Sequence, residues 1–114
     1  MMQENIFQKI IDKQMPADIV YEDDRCLAFR DIKPQAPTHV LIIPHKVIAT
    51  HDDITEADRE LIGHLHWVAV KLAKQLGLDA GYRIVINCKD GGGQVVPHLH
   101  VHLIGGRAMG WPPG

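Results

Sequence analysis

The chain has 114 residues, 46% of them hydrophobic and 23% charged, and a formal net charge of −2. A chain of this length makes one domain and buries roughly two-thirds of its unfolded surface, so a core can form without staples. The balanced charge, with no basic block, argues against a grip on a nucleic-acid backbone or an anionic membrane, and the composition argues against disorder. The two cysteines, Cys26 and Cys88, form no CxxC pair, which suits a reduced, cytoplasmic setting. Met1 to Ile11 lacks the basic segment and apolar run of a secretory signal, and no apolar run approaches a membrane span.

Ile6, Phe7, Ile10 and Ile11 share one face of a short N-terminal helix, which Pro16 ends. Ile19 to Tyr21 and Cys26 to Arg30 read as strands across a turn at Glu22, Asp23 and Asp24. Pro34 and Pro37 bracket a loop, and Thr38 to Ile43 is a strand stopped by Pro44. Residues 55–76 predict a long helix: Thr55 is its N-cap, Glu56 and Asp58 place negative charge in its first turn, and Gly77 ends it. Leu61, Leu65, Val68, Leu72 and Leu76 recur with the helical period. His64 and His66 on this helix do not face together and read as surface or interface residues. Tyr82 to Asn87 alternates as a strand, Asp90 to Gly93 turns, and Pro97 to Ile104 is the last strand, closed by Gly105 and Gly106. The tail Trp111-Pro112-Pro113-Gly114 continues neither a sheet nor a helix. This order predicts an α+β domain with a largely antiparallel sheet.

Eight histidines are many for so short a chain, and His98, His100 and His102 alternate. On a strand, alternate side chains share a face about 6–7 Å apart. The three imidazoles would then crowd one surface while Leu99, Val101 and Leu103 anchor the other. Imidazole titrates near pH ~6.5, so it can carry or receive protons at neutral pH. Such a cluster can host a nucleophile with proton-transfer neighbours, or it can bind a transition metal. The residues alone leave both open, along with the bland reading of three unrelated histidines.

The string His98-Leu99-His100-Val101-His102-Leu103-Ile104 resembles the signature of the histidine triad (HIT) superfamily. Asp23 to Phe29, Asp31-Ile32, Pro34 to His39, Gly81-Tyr82-Arg83, Asn87, Gly92-Gly93-Gln94, Gly105-Gly106-Arg107 and the Trp-Pro-Pro-Gly tail extend the resemblance along nearly the whole chain. Together they are similar to the Hint branch, the nucleoside phosphoramidases.

That resemblance implies a single HIT domain over residues 1–114, with a five-stranded antiparallel sheet, an N-terminal helix and one long helix. It implies a homodimer whose two-fold axis joins the two sheets, with residues 105–114 and Trp111 reaching the partner subunit. The implied activity is hydrolysis of adenosine or guanosine 5′-phosphoramidates and aminoacyl-adenylates to a nucleoside monophosphate, through a nucleotidyl-histidine intermediate. His100 would be the nucleophile, His102 would contact phosphate oxygens, and His98 and His39 would orient the nucleophile and relay a proton. Phe7, Ile10, Phe29 and Ile32 would surround a purine base, Asp31 would accept from the ribose hydroxyls, and Asn87, Gly93 and the Val95 N–H would face the phosphate. No cofactor or metal is implied, and no nucleic-acid or membrane partner. Two departures stand out: Val95 occupies a position where Hint proteins often carry serine, and Pro97 one where they often carry tyrosine. Val95 has no side-chain donor, which keeps open a non-catalytic nucleotide-binding protein as the alternative.

Overall fold

Alternation along three strands decides the layering. The computed structural model describes residues 4–114. It contains α1 (Ile6–Ile11), β1 (Ile19–Glu22), β2 (Cys26–Arg30), β3 (Thr38–Pro44), α2 (Arg59–Gln75), β4 (Tyr82–Val85) and β5 (Val101–Gly105). The strands form one antiparallel sheet in the order β1-β2-β3-β5-β4. Cys26, Ala28, Val40, Ile42, Val101 and Leu103 point to one face and pack with Leu65, Val68 and Leu72 of α2. The intervening residues Leu27, Phe29, Leu41 and Ile43 point to the other face and pack with Phe7 and Ile10 of α1 and with Val96. By the same alternation His39 on β3 and His102 on β5 stand on the α1 face. His39 pairs with Ile104, and His102 with Leu41, so the two histidines are diagonal neighbours across the strand pair.

The turn between β1 and β2 is held by Asp23. Its Oδ1 accepts the N–H groups of Arg25 (2.8 Å) and Cys26 (2.9 Å). Its Oδ2 accepts the Tyr21 hydroxyl at 2.8 Å and meets His64 Nε2 at 2.6 Å. His64 is therefore not a bare surface residue: it ties α2 to this turn.

Three boundaries differ from the sequence expectation by two residues or more. The helix proper begins at Arg59, because Asp58 turns its carboxylate back to the N–H (2.9 Å) and hydroxyl (3.1 Å) of Thr55 and closes a 3₁₀ turn over Glu56–Asp58. The last strand begins at Val101 rather than Pro97, because the Leu99 N–H leaves the ladder for the Ile48 carbonyl at 2.7 Å. Its neighbour β4 consequently stops at Val85, paired with His102, rather than at Asn87. The far end of α2 agrees with expectation: Gly77 takes φ +73°, a left-handed conformation that suits glycine.

Leu72 is 1% exposed at the centre of the α2 layer. Leu72→Ala is expected to cost about 2–5 kcal/mol of unfolding free energy, read from urea denaturation. A loss below about 1 kcal/mol would show that this layer collapses around the missing side chain.

Candidate active site

A cleft of about 600 Å³ opens beside α1. One end is apolar, formed by Ile6, Phe7, Ile10, Met15, Phe29 and Leu41. The other is polar and brings Asp31, His39, Asn87, His100 and His102 together with Gly93 and Val95. Every residue expected to touch a nucleotide lines this cleft, although Ile32 does so from the rim, 91% exposed. Trp111, expected to reach a partner subunit, is 83% exposed and does not line the cleft.

The three triad rings gather on the α1 side although only His102 lies on a regular strand. His100 and His102 rings are 5.0 Å apart, and Phe7 sits 4.9 Å from His100 and 6.2 Å from His98, edge-on to both. The bend at residues 96–98 preserves the shared side and changes what each ring can reach. His98 is fully buried and does not line the cleft. Its Nε2 donates to the Pro44 carbonyl at 2.7 Å and its Nδ1 accepts from Asn5 Nδ2 at 2.9 Å. With both nitrogens engaged, this ring braces α1 against the sheet. Its backbone carbonyl serves the site instead: His100 Nδ1 donates to it at 2.7 Å. That bond leaves His100 Nε2 as the ring's unprotonated nitrogen when the ring is neutral.

A second chain of bonds sets the other two rings. The Gln35 N–H donates to His39 Nδ1 at 3.0 Å. A neutral His39 therefore carries its proton on Nε2 and donates it to His102 Nδ1, 2.9 Å away. His102 then carries its proton on Nε2, a buried donor with no partner among the described residues. An orphaned buried donor is costly and rare, and in a cleft it marks a place for an acceptor. Asp31 Oδ2 lies 3.5 Å from His39 Nε2, and Asp31 Oδ1 accepts the Lys33 N–H at 2.8 Å.

Burial pushes all four imidazoles toward the neutral form. It lowers the pKa of His98 and of His100, with hydrogen bonds to the Pro44 and His98 carbonyls opposing. It lowers His39, with the Asp31 charge opposing, and brings His102 down to about 4, helped by His100 and His39. Neutral rings with fixed protons are what a nucleophile and a hydrogen-bond donor require.

The loop carrying Gly93 and Val95 is clamped from three sides. Buried Gln94 accepts the Lys89 N–H at 2.8 Å and donates to the carbonyls of Ala49 (2.7 Å) and Val96 (2.9 Å). Lys89 holds φ +63° and reaches Asp52 with its ammonium group at 2.6 Å. The Gly93 N–H is donated to the Asp90 carbonyl at 3.0 Å. Gln35 and Gln94 fall within the strings that carry the resemblance but have no role assigned by it, and Asn5 lies outside them. Asn5 carried a detectable signal as the N-cap of α1, and it accepts the Gln8 N–H at 3.0 Å.

Metal ligation by the three triad histidines together is not available, because His98 has no free nitrogen and His100 Nδ1 faces a carbonyl. Among the described residues, two other groups have ligand atoms within 4.8 Å of one another: Asp31, His39 and His102, and Asp23, Cys26 and His64. The first would have to give up the His39–His102 bond. The second holds a Cys26 thiol that burial pushes up to about 12.

The HIT domain family model matches residues 12–109. A 14 kDa zinc-binding protein of Zea mays is 55% identical over 112 residues, covering 96% of this chain and 87% of the relative. The crystal structure of a HIT family hydrolase from Legionella pneumophila superposes with a TM-score of 0.95 at 54% identity, covering 96% of this chain and 99% of that one. A histidine triad nucleotide-binding protein from Candida albicans superposes with a TM-score of 0.81 at 34% identity, covering 95% of this chain and 82% of that one.

The lowered imidazole pKa values have a consequence for stability. Between about pH 6.5 and the lower folded values, the unfolded chain binds protons that the folded chain refuses, so stability falls as pH falls through this window. The urea midpoint is expected to be lower at pH 5 than at pH 7. Equal midpoints would contradict the buried, neutral imidazoles.

Proposed function

This chain belongs to the HIT domain family, and from that premise we propose that it is a purine nucleoside phosphoramidase. It would hydrolyse adenosine or guanosine 5′-phosphoramidates and aminoacyl-adenylates to the nucleoside monophosphate. The observation that carries this reading is the pairing of an unprotonated His100 Nε2 with an unpartnered His102 Nε2–H at the polar end of one cleft. The hydrolase and nucleotide-binding descriptions of the Legionella and Candida relatives support it.

The base would enter the apolar end, against Phe7, Ile10 and Phe29, with Ile32 at the rim. The ribose hydroxyls would donate to Asp31. The phosphate would lie at the polar end, with His102 Nε2–H, Asn87 and the Val95 N–H on its oxygens and Gly93 close by. His100 Nε2 bonds to phosphorus as the P–N bond breaks, the departing nitrogen takes the His102 Nε2 proton, and His102 regains one from solvent, so that the His39–His102 pair stays neutral. Water then attacks phosphorus, the bond to Nε2 breaks, and the water proton is released to solvent. Covalent catalysis of this kind replaces one hard step by two easier ones, and fixed donors need little reorganisation as charge builds. His98 orients His100 through its carbonyl. No cofactor is required by these steps.

The same reading includes a homodimer of single-domain subunits, working in the cytoplasm, in which Trp111 contacts the partner. Exposed Trp67 on α2 and Tyr82 on β4, at 57% and 42%, are consistent with a covered surface. The half-exposed Val95 favours one second reading, a protein that binds nucleotide without turning it over. Its side chain cannot donate to phosphate or to the leaving amine.

His100→Ala is expected to abolish amine release from an adenosine phosphoramidate while leaving the thermal transition in place, and retained turnover would refute the nucleophile. In the native protein, activity should persist through pH 6.5 and fall below it as His100 protonates. A rate flat to pH 4 would contradict an imidazole nucleophile. AMP binding by calorimetry with no turnover of any phosphoramidate would establish the second reading, and loss of activity with a chelator would establish a metal.

A further inference from the structure

We infer that Arg107, outside the cleft, is a positioning residue that fixes which nitrogens of His39 and His102 carry protons. The inference rests on the phosphoramidase reading for its kinetic test but not for its spectroscopic one.

The geometry is a continuous relay. The Arg107 guanidinium closes on the Gln35 carbonyl with two donors, Nε at 3.2 Å and Nη2 at 3.0 Å, while Nη1 donates to the Ala108 carbonyl at 3.1 Å. Gln35 is thereby gripped at its C=O while its N–H points to His39 Nδ1 at 3.0 Å. Beside this grip, Gly106 at φ +93° lies so close to Pro37 that a Cβ there would sit 3.0 Å from the Pro37 Cβ. The segment after β5 therefore holds the loop between β2 and β3 by a guanidinium clamp and a tight backbone contact. The Gln35 side chain adds nothing to this grip, since it turns away to the Lys33 carbonyl at 3.0 Å.

An N–H aimed at the lone pair of His39 Nδ1 opposes a proton there. It commits the ring to the Nε2–H form, and that commitment passes to His102 across the 2.9 Å bond. The charged and titratable groups facing this pair are Asp31 from the loop after β2 and His100 from the segment before β5. Asp31 lies 3.5 Å from His39 Nε2 and attracts a positive ring. Without the Gln35 N–H in place, burial alone opposes a second proton on His39, and Asp31 favours it. The relay would then hold its proton when it should pass one.

The test uses full-length protein, the variants R107A and R107K, and R59A as a surface control. Nitrogen-15 spectra of the histidine rings should show native His39 and His102 protonated on Nε2 and bare on Nδ1. A native His39 protonated on Nδ1 overturns the inference without any variant. In R107A the two forms of His39 should mix, the acid limb of kcat/KM for an adenosine phosphoramidate should move to higher pH, and kcat should fall roughly three- to tenfold with KM little changed. R107K keeps the charge but loses the two-pronged grip, so it should shift in the same direction by less. R107K identical to the native protein beside a shifted R107A would make the effect one of charge and overturn the clamp. Unchanged spectra and pH profile in a folded R107A would do the same. If R107A does not fold, R107K and the native spectra decide. A native protein that turns over no phosphoramidate defeats the functional reading alone, since the ring spectra still report on Arg107.

Discussion

Four imidazoles packed within a few ångströms can do different work only if each ring's proton has a fixed address, and backbone groups set those addresses. A carbonyl can only accept and an amide N–H can only donate, so each one dictates the state of the nitrogen it meets. The His98 carbonyl writes a proton onto His100 Nδ1, and the Gln35 N–H forbids one on His39 Nδ1. From these two bonds follow a bare nitrogen on one cleft ring and a donor on its neighbour. Burial then keeps the rings neutral enough for the pattern to hold.

The sheet makes this arrangement affordable in structural terms by dividing labour between its faces. One face is committed to α2 and contains the continuous aliphatic layer that supplies most of the hydrophobic stabilisation. The other face is thinner, capped by the short α1, and gives up part of its area to the cleft. His98 joins the two functions. Its ring ties Asn5 at the head of α1 to Pro44 at the end of β3, while its carbonyl turns to the chemistry.

Much of this was legible in the residues. The alternation of Cys26 to Arg30 and of Thr38 to Ile43, and the helical period from Leu61 to Leu76, mark burial directly, and burial is what secondary structure serves. The three histidines share a side as their spacing requires. The strand under them, however, is shorter than the pattern suggests, because the alternation of Pro97 to Val101 is satisfied by a bend that sends the Leu99 N–H to Ile48. Side-chain periodicity reports which face a residue seeks and says nothing of where its N–H goes. The resemblance gives His98 a part in orienting the nucleophile and relaying a proton, whereas the fold engages both its ring nitrogens elsewhere and brings its carbonyl to His100. Gln94 and Asn5 act through contacts to residues 45 and 93 positions away, which no local pattern encodes, whereas the Gln35 N–H meets His39 four residues on through the shape of the loop.

The lysine at position 89 sits in a backbone conformation that side chains avoid, yet it is gripped at its amide by Gln94 and at its ammonium end by Asp52. Strain of this kind, about 1–3 kcal/mol per residue, survives only where the surroundings over-determine it. The folding reaction has thus already set the rigidity of the glycine-rich turn. A small molecule arriving there meets a mould that is finished, and little of its affinity is lost to ordering the polypeptide around it.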